Sequence, residues 1–159
     1  KIMTHAVLDS IAFAFRDSAL ARPVAGTGFV AAGGTAPFAW ETTARGELSM
    51  TPKGGEGYAL FVQRGFSGEM ARQVLRLAPG TYTFAAQVTP ASQAHNFTVR
   101  MECAGEPGPR LDAQPLGGSV RFTLPASCRY WWLVLEGSAW QAPSGVRAEI
   151  TDMRFDRQP

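Results

Sequence analysis

The sequence predicts an all-β sandwich, and three observations predict it. Short segments of alternating apolar and polar residues recur from Val24 to Phe155. Gly (17 residues) and Pro (11) are spread along the chain and divide those segments, as a fold with many turns requires. One segment, Arg129 to Glu136, is apolar at both parities, which places it in the middle of a sheet with both faces covered.

The remaining elements follow in chain order. Thr4 to Arg22 is the helical candidate: Thr4 is placed to cap, Val7, Leu8, Ile11 and Phe15 recur at spacings of three and four, and Pro23 ends the run. Ile11 to Phe15 also alternates as a strand does, because Phe13 falls off the helical stripe; helix is preferred. Residues 1–22 are accordingly read as an N-terminal helical segment or the tail of a preceding domain, and residues 23–159 as the sandwich. Thr27 to Val30, Phe38 to Thr43, Glu47 to Thr51 and Tyr58 to Arg64 read as strands.

Ala71 to Val88 reads as a hairpin. Gln73, Leu75 and Leu77 share one face of its first strand, and Tyr82, Phe84, Ala86 and Val88 share one face of its second. Pro79-Gly80 supplies a type II turn between them. Phe97, Val99, Met101 and Cys103 then alternate with Asn96, Thr98, Arg100 and Glu102, and Glu106 to Gly118 is a loop. Val120, Phe122 and Leu124 form the next strand, stopped by Pro125. In Val146 to Phe155, Ala148 and Ile150 have one parity and Met153 and Phe155 the other, so a β-bulge near Thr151-Asp152 is required to keep all four inward. About nine or ten antiparallel strands result, in the range of a jelly roll with a short N-terminal helix.

At 159 residues the chain fits one sandwich domain with a sizeable core, and 45% hydrophobic with 18% charged residues is globular composition rather than disorder. A formal charge of +2 is too mild to mark a nucleic-acid partner. No apolar run reaches the roughly 18 residues of a membrane span. The chain opens on Lys1, so a processed or excised piece is expected. Cys103 and Cys128 read as one disulfide, which implies an exported, periplasmic or extracellular protein; the alternative is two buried thiols in a cytosolic one.

Gly28-Phe29, Pro37-Phe38-Ala39-Trp40, Tyr58-Ala59-Leu60-Phe61-Val62, Gln73 to Tyr82 and the closing Ile150-Thr151-Asp152-Met153-Arg154-Phe155 resemble, in order and spacing, the galactose-binding-domain-like jelly rolls. That group includes many non-catalytic carbohydrate-binding modules. The resemblance covers about Val24 to the C-terminus and implies a fold more than a ligand. It also implies a structural calcium, but Val30 and Ala31 stand where the opening acid would be. Asp152 is left as the single metal candidate, and no cofactor is expected.

Catalytic patterns are poor. His5 and His95 are isolated, Gly26 to Ala31 matches a loose G-x-G-x-x-A outside any βα unit, and no carboxylate pair is placed across a cleft. The expectation is a non-enzyme. For binding, if Trp131, Leu133 and Leu135 face the core, Tyr130 and Trp132 lie on the outer face of the central strand. Arg72, Arg76, Gln87, Asn96, Arg100 and Arg121 are outward by the same parity. Aromatic plates beside arginine and amide donors suit a sugar site, and the arginines favour an acidic polysaccharide. The competing arrangement has Tyr130 and Trp132 covered by the N-terminal helix or a loop. Trp40 is expected in the core, and Trp140, in the loop Gly137 to Gly145, is a ligand contact or an interface anchor. The function expected is a carbohydrate-binding module; the alternative is a protein-interaction or structural domain of a larger envelope protein.

Overall fold

Alternation of buried with more exposed side chains is strict in Val120–Leu124 and runs through Val146–Arg157 up to and after a bulge in the computed structural model, which describes residues 27–55, 57–105 and 108–159. The strands are β1 (Glu41–Thr42), β2 (Leu48–Lys53), β3 (Gly57–Val62), β4 (Ser67–Arg76) and β5 (Gly80–Thr89). After a 3-10 turn at Ala91–Asn96 come β6 (Phe97–Cys103), β7 (Gln114–Pro115), β8 (Val120–Leu124), β9 (Tyr130–Ser138) and β10 (Val146–Arg157). They form two five-stranded antiparallel sheets, β1-β4-β9-β6-β7 and β2-β3-β10-β5-β8. The expected all-β sandwich is therefore the fold, with ten strands among the described residues. The N-terminal helix expected over Thr4 to Arg22 lies outside them.

Leu48, Met50, Leu60, Val62, Phe84, Phe122 and Ile150 from the second sheet pack against Met70, Leu75, Phe97, Met101, Trp131 and Leu133 from the first, and all are buried. Trp40 joins this core, as expected. Burying apolar area from two facing sheets is what holds the layers together, at about 25 cal/mol per Å² removed from water. The doubly apolar β9 lies between β4 and β6, at the centre of its sheet. In β10 the register slips between Thr151 and Arg154, and Asp152 takes φ 53°. This is the bulge that the changed parity required.

The predicted hairpin over Ala71 to Val88 is not one. β4 pairs with β1 and β9, whereas β5 pairs with β10 and β8, so the two strands belong to opposite sheets. Leu77 to Pro79 crosses between layers. Its ends are held by the Leu77 amide donating to Arg129 O (2.9 Å), Tyr82 Oη donating to Ala78 O (2.8 Å) and Arg157 Nη2 donating to Pro79 O (2.9 Å). Gly80 has φ 153°, far from the roughly +80° of a type II turn. Two strands that each bury one face are satisfied equally by pairing side by side or by facing each other across a core, and alternation alone does not separate these.

Thr27 to Val30, expected as a strand, makes no ladder. The buried Gln73 side chain replaces one: its Nε2 donates to Val30 O (3.0 Å) and its Oε1 accepts from Val30 N (3.2 Å). Thr27 Oγ1 donates to Phe155 O at 2.9 Å. A primary amide presents the same donor and acceptor pair as a peptide group, so Gln73 satisfies this backbone inside the fold. Cys103 and Cys128 form the expected disulfide, with Cα atoms 5.9 Å apart.

Candidate functional site

The outer face of the first sheet carries the residues singled out for sugar binding. Trp131, Leu133 and Leu135 enter the inter-sheet core, and Tyr130, Trp132 and Val134 point the other way, forming a second cluster with Val74, Ala104 and Phe38. The expected parity holds, but the rings are not open plates. Tyr130 is fully buried and Trp132 is only 8% exposed. The Arg72 guanidinium lies 4.3 Å from the centroid of Trp132, and Arg76 and Arg129 each lie 5.9 Å from that of Tyr130. A cation seated on a ring occupies the face against which a sugar would stack.

Arg100 is likewise engaged. It is 8% exposed, and it reaches Glu136 from Nε (3.1 Å), Glu102 from Nη1 (2.8 Å) and Glu69 from Nη2 (3.9 Å). Burial works against its charge, but the bonds to Glu102 and Glu136 outweigh this and hold its proton more tightly than usual. Glu69 shifts upward because burial outweighs the attraction of Arg72 and Arg100. A bulge in β4 between Glu69 and Ala71 turns Glu69 to the same side as Arg72, whose Nε is 3.6 Å from it and 3.7 Å from Glu41. This network sets Arg72 and Arg100 among Glu41, Glu69, Glu102 and Glu136, and it leaves the predicted aromatic face closed.

Two of the predicted site residues lie on the opposite side of the molecule. Gln87 pairs with Thr151 and Arg121 with Thr83, both on the outward face of the second sheet. Arg72, Arg76, Arg100, Tyr130 and Trp132 belong to the first sheet. Parity reports inward or outward but not which layer, and the crossing at Leu77 to Pro79 separates Gln87 from the arginines of β4.

Trp140 is in a different setting, at one end of the sandwich. The Gly65 amide donates to Ala139 O (2.9 Å) and the Ala139 amide to Phe66 O (2.8 Å), so Ala139 is buried and pinned while its neighbour projects. Gly145 closes the loop at φ +80°, where an added Cβ would lie 2.9 Å from Val62 O, so glycine is required there. Trp140 emerges 72% exposed. Facing the loop is the 3-10 turn, in which Asn96 Nδ2 donates to Gln93 Oε1 at 2.8 Å. Between the two lies a cleft of about 740 Å³ lined by Gln93, His95, Asn96, Trp140, Gln141 and Ser144, among others. None of its lining residues is Asp, Glu, Lys or Arg.

An open indole edging a cavity of amides, hydroxyls and one imidazole can stack an apolar ring face and exchange directed hydrogen bonds with neutral hydroxyls. The loop Gly137 to Gly145 carried a sequence signal for this cleft. Gln93 and His95 did not, because they reach it only through the packing of the 3-10 turn on β5 and β10, which brings that turn opposite the loop. Asp152 is exposed at the β10 bulge, and among the described residues no group of three or more His, Cys, Asp or Glu is placed to hold a metal ion.

The fold has a solved counterpart. A chain of the accessory secretory protein 1, 2 and 3 structure from Streptococcus pneumoniae superposes with a TM-score of 0.52 at 9% identity, over 72% of this chain and 87% of that one. This likeness concerns the β-sandwich alone. A chain of the CFA/I fimbrial chaperone–tip adhesin complex matches over 74% of this chain and 40% of its own length, at 13% identity and a TM-score of 0.27, too low to bear on the fold. No protein-family model matches the chain, and no curated protein matches it by sequence.

Proposed function

We propose that this domain is a non-catalytic carbohydrate-binding module of an exported protein, and that its ligand occupies the Trp140 cleft. The observation that carries the reading is a single indole, 72% exposed, on a cleft lined with neutral hydrogen-bonding side chains. The resemblance of the Gly28-Phe29, Pro37 to Trp40 and Ile150 to Phe155 motifs to galactose-binding-like jelly rolls supports it. The disulfide fits an oxidising compartment. No helix among the described residues is long and apolar enough to cross a membrane. A neutral lining selects a neutral sugar, and neither calcium nor catalysis enters the reading.

The second reading is a protein-interaction domain of a larger envelope protein. Phe66 is 42% exposed and adjoins Trp140 through the backbone bond to Ala139, so two apolar side chains emerge from neighbouring loops. The solved counterpart is described as an accessory secretory protein, which suits such a role.

Tryptophan emission separates the two, because Trp40, Trp131 and Trp132 are buried and Trp140 is exposed. In a titration across neutral oligosaccharides, a binding sugar is expected to shift the emission to the blue and protect it from acrylamide. Trp140→Ala is expected to abolish both signals and to weaken binding by at least about tenfold. If no neutral glycan changes the emission, or the variant binds as the wild type does, the carbohydrate reading of this cleft is lost.

A further inference from the structure

The second sheet turns a different chemistry outward. Along β10 the outward residues are Arg147, Glu149 and Thr151 before the bulge and Arg154 and Asp156 after it. Register places Ser49, Phe61 and Arg147 in one cross-strand row, and Thr51, Ala59, Glu149 and Thr89 in the next. Ala59 on β3 and Ala85 on β5 flank β10 with nothing beyond Cβ, so the long β10 side chains stand over a low floor. At the Phe61 end this leaves an open trough of about 540 Å³.

Charge distinguishes this face from that of the first sheet. Its cations are Lys53, Arg121, Arg147 and Arg154, and its anions Glu149, Asp156 and the exposed Asp152 of the bulge, so four positive charges oppose three negative. Lys53 pairs with Glu149. Arg121, Arg147 and Arg154 form no ion pair among the described residues, whereas Arg72 and Arg100 on the first sheet are both matched by carboxylates. The Arg147 guanidinium lies 4.5 Å from the centroid of Phe61, which holds it flat while its N–H edge remains available for a two-pronged bond to a carboxylate or sulfate. Arg147 to Arg154 spans seven residues, roughly 20 Å at about 3.3 Å per residue. Hydroxyls of Thr51, Thr83, Thr89 and Thr151 lie beside this line.

We propose that the outer face of the second sheet binds an extended acidic polysaccharide, with Arg147, Arg154 and Arg121 taking its anionic groups. The three arginines that form no ion pair among the described residues select a polyanion. The rows of threonine select a sugar chain over a nucleic acid, because the aromatic ring on the trough, Phe61, is already stacked by Arg147 and offers no plate for a base. The track begins beside the Trp140 cleft, since Arg147 follows Gly145 by two residues and Thr89 precedes Ser92 by three, and Gly145 and Ser92 line that cleft. It rests on separate residues and does not depend on what the cleft holds.

The test is titration of the intact domain with polygalacturonate, dextran and single-stranded DNA at two ionic strengths. Polygalacturonate is expected to bind, to weaken as salt rises, and to lose about tenfold or more in affinity in R147A/R154A, with a smaller loss in R121A. Dextran is expected not to bind this face, and W140A is expected to leave polygalacturonate binding unchanged, which separates this site from the cleft. Thermal unfolding of the exposed-arginine variants at the wild-type temperature verifies that the loss is one of contact. The proposal is overturned if polygalacturonate fails to bind at low salt, if R147A/R154A binds it undiminished, or if DNA binds more tightly than polygalacturonate at equal salt.

Discussion

Arg100 and Glu69 show how much of the first sheet's outer face is decided by charge balance among side chains far apart in sequence. Arg100 shares its donors among Glu136, Glu102 and Glu69. Glu69 is shifted upward by burial, against the pull of Arg72 and Arg100 and with the help of Glu102 and Glu136. A carboxyl whose folded-state pKa lies above its unfolded value stabilises the fold at low pH, and that contribution fades as pH rises through the folded pKa. Glu69→Gln removes this titration. The variant's melting temperature relative to wild type is therefore expected to rise as pH increases above the ordinary carboxyl value of 4.5. Calorimetry across that range checks it, and a difference that moves the other way shows that the two arginines outweigh burial. The outward parity of Tyr130, Trp132, Arg72 and Arg100 was legible in the sequence. That Arg72 would lie on Trp132, and that Arg100 would be buried among carboxylates, was not, because neither contact is local.

At the level of elements, β9 and β10 were the most legible. β9 is apolar at both parities because core lies on one side and the Tyr130–Trp132 cluster on the other. β10 changes parity because Asp152 bulges out of the ladder. A glycine in β9 carried no such signal. At Gly137 an added Cβ would lie 2.6 Å from Met70 Sδ, 2.9 Å from Val62 Cγ2 and 3.2 Å from Phe97 Cε1, where both sheets close on the strand. Gly137→Ala is expected to destabilise the domain by roughly 1 to 3 kcal/mol through overpacking. Urea denaturation measures this; a midpoint equal to wild type would mean that the Met70 thioether yields freely. Ser138 and Ala139 follow directly, so the same variant also tests whether the Trp140 loop depends on close packing at the end of β9.

Across the whole molecule, the disulfide ties the connection from β8 to β9, which crosses from one sheet to the other, back to the end of β6. Its residues are 25 apart in sequence, and in the chain-entropy model such a closure is worth roughly 3 to 4 kcal/mol. Reduction, or the paired change of Cys103 and Cys128 to Ser, is expected to lower unfolding free energy by that order, measured by denaturant titration with and without reductant. An unchanged midpoint after verified reduction would place the stabilisation elsewhere. By itself the sequence determined the class of fold, most strand positions, the inward side of each strand and the cysteine pair, because these follow from local alternation, turn residues and composition. Tertiary structure decided that β4 and β5 face each other rather than pair, that Gln73 stands in for a strand, and that the predicted binding residues divide between two opposite faces and one end. Alternation records only that a side chain is buried or exposed; which sheet it belongs to, and what covers it, depends on contacts between strands remote in sequence.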